Sequence, residues 1–236
     1  MEVGISMKVD ENLLDRKIEN CVFVKTILML LVILYHSCVF WNGTWFPAIQ
    51  TGRVTNPMGD FALWLNSFHV YAFVLVSGYI FSYLKNEKGK YSSFRKYVIQ
   101  KGKRLLIPYC FVALTYAMPV DCAFYNYSAK DLFMRYGLAT APSHLWFLIT
   151  LFGCFVLVWW ISDYIQNSHL FAVLVITSSF LISIIGGHIF QNYFCIWTIF
   201  RFLPIFVFGM KLHDWDIFDK IPTLIYIGID IILFVI

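Results

Sequence analysis

The sequence predicts an all-α membrane protein, a polytopic bundle of about seven transmembrane helices, and three observations carry that prediction. First, 60% of the 236 residues are hydrophobic and the mean hydropathy is +0.70, whereas soluble domains hold roughly 45–50% apolar residues. Second, mostly apolar runs of 16 to 24 residues recur along the chain, close to the ~20 residues a helix needs to cross a bilayer core. Third, Trp41, Trp45, Trp64, Tyr109, Trp146, Trp159 and Trp160 gather near the ends of those runs, the position of an interfacial aromatic belt. A lipid bilayer is thus an expected partner, and a soluble or nucleic-acid-binding domain is excluded.

Residues 1–20 alternate acids (Glu2, Asp10, Glu11, Asp15, Glu19) with bases (Lys8, Arg16, Lys17). They lack the basic start, short apolar core and small-residue cleavage site of a signal peptide. They read as a polar lead-in to a membrane domain over 21–236. Hydrophobic periodicity places spans at about 21–41, 61–84, 105–119, 145–161, 170–190, 193–210 and 221–236. The segment "KNEKGKYSSFRKYVIQKGKR" (85–104) holds eight Lys or Arg against one Glu. The positive-inside bias makes it cytoplasmic and puts the N-terminus on the same side. Loops 42–60 and 120–144 then fall outside, and "KLHDWDIFDK" (211–220) inside. After Pro222 the chain runs "TLIYIGIDIILFVI" with no polar anchor beyond it, the pattern of either an unfinished bundle or a tightly packed last helix. The six cysteines (21, 38, 110, 122, 154, 195) show no CxxC spacing; they are small core hydrophobes, with no disulfide frame and no metal site.

The first span, "FVKTILMLLVILYHSC", carries two ionisable residues, Lys25 and His36, eleven positions apart. At ~100° and ~1.5 Å per residue they return to within about 20° of one face, ~16 Å apart along the axis. Lys25 lies at the inner boundary, where snorkelling to headgroups competes with a functional role. His36 lies in the outer half, where an ionisable residue normally faces a bundle interior or cavity, the simpler alternative being a neutral ring hydrogen-bonded to a neighbouring backbone group. His69, in "LNSFHVYAFVLVSGYIF", sits at a matching depth on the next helix and makes a polar pocket with it. Ser77 has no adjacent base to make it a nucleophile, and Gly78 suits close helix packing. The basic segment is either an interfacial helix drawn to anionic lipid or, through Lys103 and Arg104 in "KGKRLLIPY", a surface for a phosphorylated ligand. Arg201 and Asp230 either pair or line a path. "NGT" (42–44) and "NYS" (126–128) are weak sequons. Trp45 and Tyr125 offer rings for sugar stacking, with interfacial anchoring the simpler role for each.

Five features in this order resemble the acyltransferase 3 family, bacterial integral-membrane enzymes that O-acetylate cell-surface polysaccharides: Lys25-x10-His36, "FHVYAFVLVSGYIF", "KRLLIPY", "HLWFLITLF" (144–152) and "RFLPIFVFG" (201–209). The resemblance runs from about residue 16 to the end. It implies an essential His36 preceded by basic Lys25, a second-helix motif at Phe68, His69, Ser77 and Gly78, a basic motif at Lys103, Arg104, Pro108 and Tyr109, and a motif at Trp146, Phe147 and Leu148. Val22 stands where family members often have Asp, and seven helices stand where they usually have about ten.

The resemblance implies acetyl-CoA as co-substrate, no bound cofactor, a glycan or polysaccharide acceptor, and residence in the inner or plasma membrane. His36 is then expected as general base. His69 is expected to orient the acceptor or stabilise the oxyanion, and Lys25, Lys103 and Arg104 to meet the donor's phosphates. Buried His, Arg and Asp would equally serve a transporter or exporter, although no internal repeat is visible to support one. An inactive truncated remnant is the third reading.

Overall fold

The computed structural model describes residues 2–42 and 56–215. The expected seventh span (221–236), Asp230, Trp45 and most of the 42–44 sequon lie outside the described residues. Every regular element among the described residues is helical: α1 (Glu2–Cys38), α2 (Asn56–Asn86), α3 (Phe94–Val112), α4 (Met118–Tyr125), α5 (Ala129–Leu132), α6 (Trp146–Asn167), α7 (His169–Ile189) and α8 (Ile196–Asp214). Six helical stretches are long and apolar enough to cross a membrane: 19–38, 57–86, 94–125, 143–167, 169–189 and 193–214. The chain is a multi-pass membrane protein.

Two spans depart from the periodicity reading. The polar lead-in is itself helical, so α1 runs unbroken from Glu2 into the membrane. The basic segment is divided rather than interfacial throughout. A loop with Gly89 and Tyr91 at positive φ (58° and 73°) ends the α2 side. From Phe94 onward the chain belongs to the third span, which extends to Tyr125 instead of covering only 105–119. Lys, Arg and Gln are good helix formers, and their long stems let a helix leave the bilayer without losing its backbone bonds. Pro108 sits inside α3, where it forfeits one backbone donor. The ladder then widens to a π-turn over Ala113–Ala117 before α4 continues it.

α8 is the central helix and packs on α2, α6 and α7; α2 in turn carries α1, and α6 carries α3. The α2–α8 seam is a backbone contact made by two glycines. A Cβ on Gly78 would stand 2.0 Å from the Phe206 carbonyl oxygen, and one on Gly209 the same distance from the Leu75 carbonyl oxygen. Only glycine admits such an approach, the small-residue logic of membrane helix packing. Beside this seam Phe81, Tyr97, Phe155 and Phe206 form an aromatic core. The side chains of α1 divide by face. Val22, Phe23, Met29, Leu30 and Ile33 are exposed, as a lipid-facing stripe must be, while Lys25 and His36 turn towards α2.

At the basic end of the bundle, α2, α6 and α8 are joined by a polar network. Lys85 bonds Ser162 and reaches Asp163 at 2.7 Å. His213 meets Glu87 at 2.7 Å. Buried Lys211 meets Asp214 at 3.3 Å, and Ser82 donates to that same Asp214. At the opposite end Asp121, Arg135 and Tyr136 close a cap. The Tyr136 hydroxyl donates to Asp121 at 2.8 Å, Arg135 approaches the same carboxylate at 3.3 Å, and Tyr109 donates to the Tyr136 carbonyl at 2.5 Å. Burial, and then the Asp121 carboxylate, push the Tyr136 phenol well above the ordinary tyrosine range, so it remains a donor.

Candidate active site

Helices α1, α2 and the start of α6 enclose a cavity of about 700 Å³. His36 enters it from α1, Asn66 and His69 from α2, and Ser143, His144 and Trp146 from the turn into α6; Tyr125 and Phe147 also line it. The volume lies within the ~300–1,000 Å³ range of small-molecule sites, and the mix of apolar walls with few polar groups is typical of them.

The polar groups are held by their own helices. His36 directs Nδ1 at the Val32 carbonyl, 2.7 Å away, and His69 directs Nδ1 at the Leu65 carbonyl at 2.5 Å, each one turn back. A carbonyl only accepts, so the neutral rings carry their proton on Nδ1 and offer Nε2 as a base. Between the two helices the Tyr35 ring lies 5.0 Å from His69 and 4.9 Å from His36. His144 stacks on His36 with ring centroids 5.1 Å apart and planes at 29°. Trp146 packs its ring against Phe202 at 5.3 Å, tying this wall to α8.

Towards the basic end, Phe73 continues the cavity wall, edge-on to Phe147. The Lys25 ammonium lies over the Phe73 ring, 5.0 Å from its centroid, a cation–π contact. A second cation stands near it. Lys101 is packed over Phe155 at 3.8 Å and beside Tyr91 and Tyr97 at 5.2 and 5.7 Å. Lys25, Lys101 and Arg104 lie close enough for their charges to act on one another. Among the described residues no carboxylate forms an ion pair with any of the three. Tyr91, in the loop beside them, is raised above the ordinary tyrosine range, mainly by burial.

The structure brings His36, His69 and Lys25 to one seam, with Arg104 at its basic end. Lys103 and its neighbour Arg104 are both exposed on α3, whereas Lys101 is half-buried. Ser77 is buried and donates to the Phe73 carbonyl, so with Gly78 it builds the helix seam and lies outside the cavity lining. Pro108 and Tyr109 shape α3 and its cap contact. Arg201 is exposed on α8. Tyr125 lines the cavity mouth and stacks on Tyr127 at 5.7 Å. Two site residues escaped sequence reasoning. Lys101 stands three residues before Arg104, one turn along the same face, a spacing that would have singled it out over Lys103. His144 heads the "HLWFLITLF" stretch, but it lies in a loop where no periodicity announces the direction of a side chain.

A family model described as an acyltransferase domain matches residues 22–236. No curated protein and no solved structure matches the chain. That match covers every residue of the cavity and of the cationic cluster.

Proposed function

Because the chain belongs to the acyltransferase 3 family, we propose that it moves an acetyl group from acetyl-CoA to a hydroxyl of a cell-surface or exported glycan, with His36 as the general base. The observation that carries this reading is the common seam of α1 and α2, which holds imidazole nitrogens in the cavity and the Lys25 ammonium below it, over the Phe73 ring. Acyl transfer from a thioester to an alcohol needs a base for the hydroxyl proton. The Val32 hydrogen bond holds the neutral His36 ring in the tautomer with basic Nε2. His69, with Nδ1–H directed at Leu65, likewise presents an acceptor nitrogen. Of its two expected roles, orienting the acceptor by accepting from a second, non-reacting hydroxyl fits that tautomer and donating to an oxyanion does not.

The donor's phosphates are met by Lys25, Lys101 and Arg104, with Lys103 beside Arg104 on the same exposed stretch of α3. Lys25 and Lys101, packed over aromatic rings with no carboxylate partner among the described residues, are costly to bury as cations, and a polyanionic ligand offsets that cost. The eleven-residue rise from Lys25 to His36 along the unbroken α1, ~16 Å, is a distance an extended pantetheine arm can bridge. The basic end faces the cytoplasm, where acetyl-CoA is made, and the cavity opens near the opposite leaflet of the inner or plasma membrane. Membranes containing the protein should transfer label from [14C]acetyl-CoA to glycan. His36→Ala should abolish transfer without loss of membrane insertion. Transfer at the wild-type rate in that variant, or none in the wild type, would refute the assignment.

A further inference from the structure

Three histidines line the same cavity, and the partners of their Nδ1 atoms differ in kind. His36 and His69 both aim Nδ1 at backbone carbonyls, so their neutral rings present proton acceptors to the cavity. His144 differs. Its Nδ1 lies 2.7 Å from the Ser143 hydroxyl, a group able to donate as well as accept. When Ser143 donates to Nδ1, the ring proton resides on Nε2, and His144 offers the cavity an N–H donor.

The local backbone supports a fixed arrangement. Ser143 adopts φ 48°, in the left-handed region that a non-glycine residue seldom occupies. Such conformations persist where surrounding structure holds them, and they concentrate at functional sites. Here the Ser143 amide donates to Ala141 and the Leu145 amide to Pro142. The preceding loop is tied to the start of α8 through the Phe194 amide to Leu138 and the Cys195 thiol to Ala139. The His144 ring is further seated against the His36 ring.

We propose that His144 is a catalytic hydrogen-bond donor to the acyl oxygen, complementary to the base His36; this rests on the acyl-transfer reading above. As the acceptor oxygen bonds to the thioester carbon, its proton passes to Nε2 of His36. The carbonyl pair moves onto oxygen, which accepts the Nε2–H of His144. Collapse reforms the carbonyl and breaks the carbon–sulfur bond, and the departing thiolate takes the proton from His36. Both rings end as they began.

The test uses everted membrane vesicles carrying the full chain and their own glycans, supplied with [14C]acetyl-CoA, with label transfer and thiol release read per molecule of protein. His144→Phe keeps a ring against His36 and removes the donor. Its kcat should fall about 10²- to 10³-fold, the usual loss of an oxyanion donor, with the KM for acetyl-CoA nearly unchanged. His144→Gln, whose amide restores an N–H, should recover about tenfold over the Phe variant if donation is what matters. A purely structural ring would give the opposite order. Near-wild-type turnover in His144→Phe, or a Gln variant no better than Phe, overturns the proposal. His36-dependent transfer indifferent to residue 144 sinks it alone; absence of transfer by the wild type removes the acyl-transfer reading and this proposal together.

Discussion

Replacing Gly78 by alanine adds one methyl group, yet the geometry predicts a large functional loss. The new Cβ would sit 2.0 Å from the Phe206 carbonyl oxygen, against 3.4 Å or more for ordinary contact, so α2 and α8 must part by about 1.4 Å. The obstacle is backbone, which has no rotamer through which to escape. Overpacking of this kind costs about 1–3 kcal/mol, a deficit a packed bundle survives. The catalytic cost is larger, because α2 carries His69, Val70 and Phe73 on the cavity wall. A displacement of ~1 Å can cost about 10²-fold in rate. Gly78→Ala should therefore insert and purify with a lowered Tm, while acetyl transfer falls about 100-fold. Gly209→Ala should behave alike, since its Cβ meets the Leu75 carbonyl at the same 2.0 Å. Gly102→Ala is the control: its nearest neighbour is a Phe152 ring carbon at 3.8 Å, so the rate should hold and Tm should hold or rise slightly, as Ala is the better helix former. Wild-type transfer and Tm in Gly78→Ala would refute the reasoning that this seam sets the cavity.

The cationic cluster gives two more expectations, both read from the dependence of initial rate on acetyl-CoA concentration. Arg104→Glu should raise the apparent KM for the donor about tenfold or more, since charge is reversed beside a polyanion, and an unchanged KM would count against phosphate binding here. Lys101→Met keeps the stem against Phe155 and removes the charge; donor KM should rise while thermal stability holds or improves, because a half-buried cation with no counter-ion among the described residues is relieved. A fall in stability with unaltered KM would make Lys101 a structural cation instead.

The architecture and half of the site were legible in the sequence for physical reasons. Membrane spans announce themselves because lipid demands ~20 apolar residues, and the Lys25–His36 spacing survives as a shared face because α1 is an unbroken helix. Where the backbone is regular, angle follows from count. His144 lies beyond that arithmetic, since its direction depends on Ser143 at φ 48° and on hydrogen bonds that reach the start of α8. Lys103 and Lys101 show the converse. Both are basic, two residues apart on α3, and only the neighbouring helix decides which is packed among Phe155 and Tyr97. The start of the third span at Phe94 was hidden for a related reason: lysines and arginines with long stems conceal how much of a basic stretch is helix.

The distribution of ionisable groups along the α1–α2 seam also argues for a direction of transfer. A charge held at bilayer depth is expensive, whereas imidazole can remain neutral there and still exchange protons. The chain puts histidines in the cavity and confines Lys25, Lys101 and Arg104 to the basic end, where the heads of long side chains can reach water or an anion. A ligand drawn by those cations brings its negative end to the basic surface and its neutral arm upward beneath Phe73. Its reactive end therefore arrives among groups that move protons without holding fixed charge. Reversing the arrangement would require either buried permanent cations or a charged ligand end crossing the apolar cavity wall, and both are disfavoured by the same desolvation cost. If the proposed function holds, transfer would run from the basic face towards the cap of Asp121 and Tyr136, a polarity set by where the bilayer tolerates permanent charge.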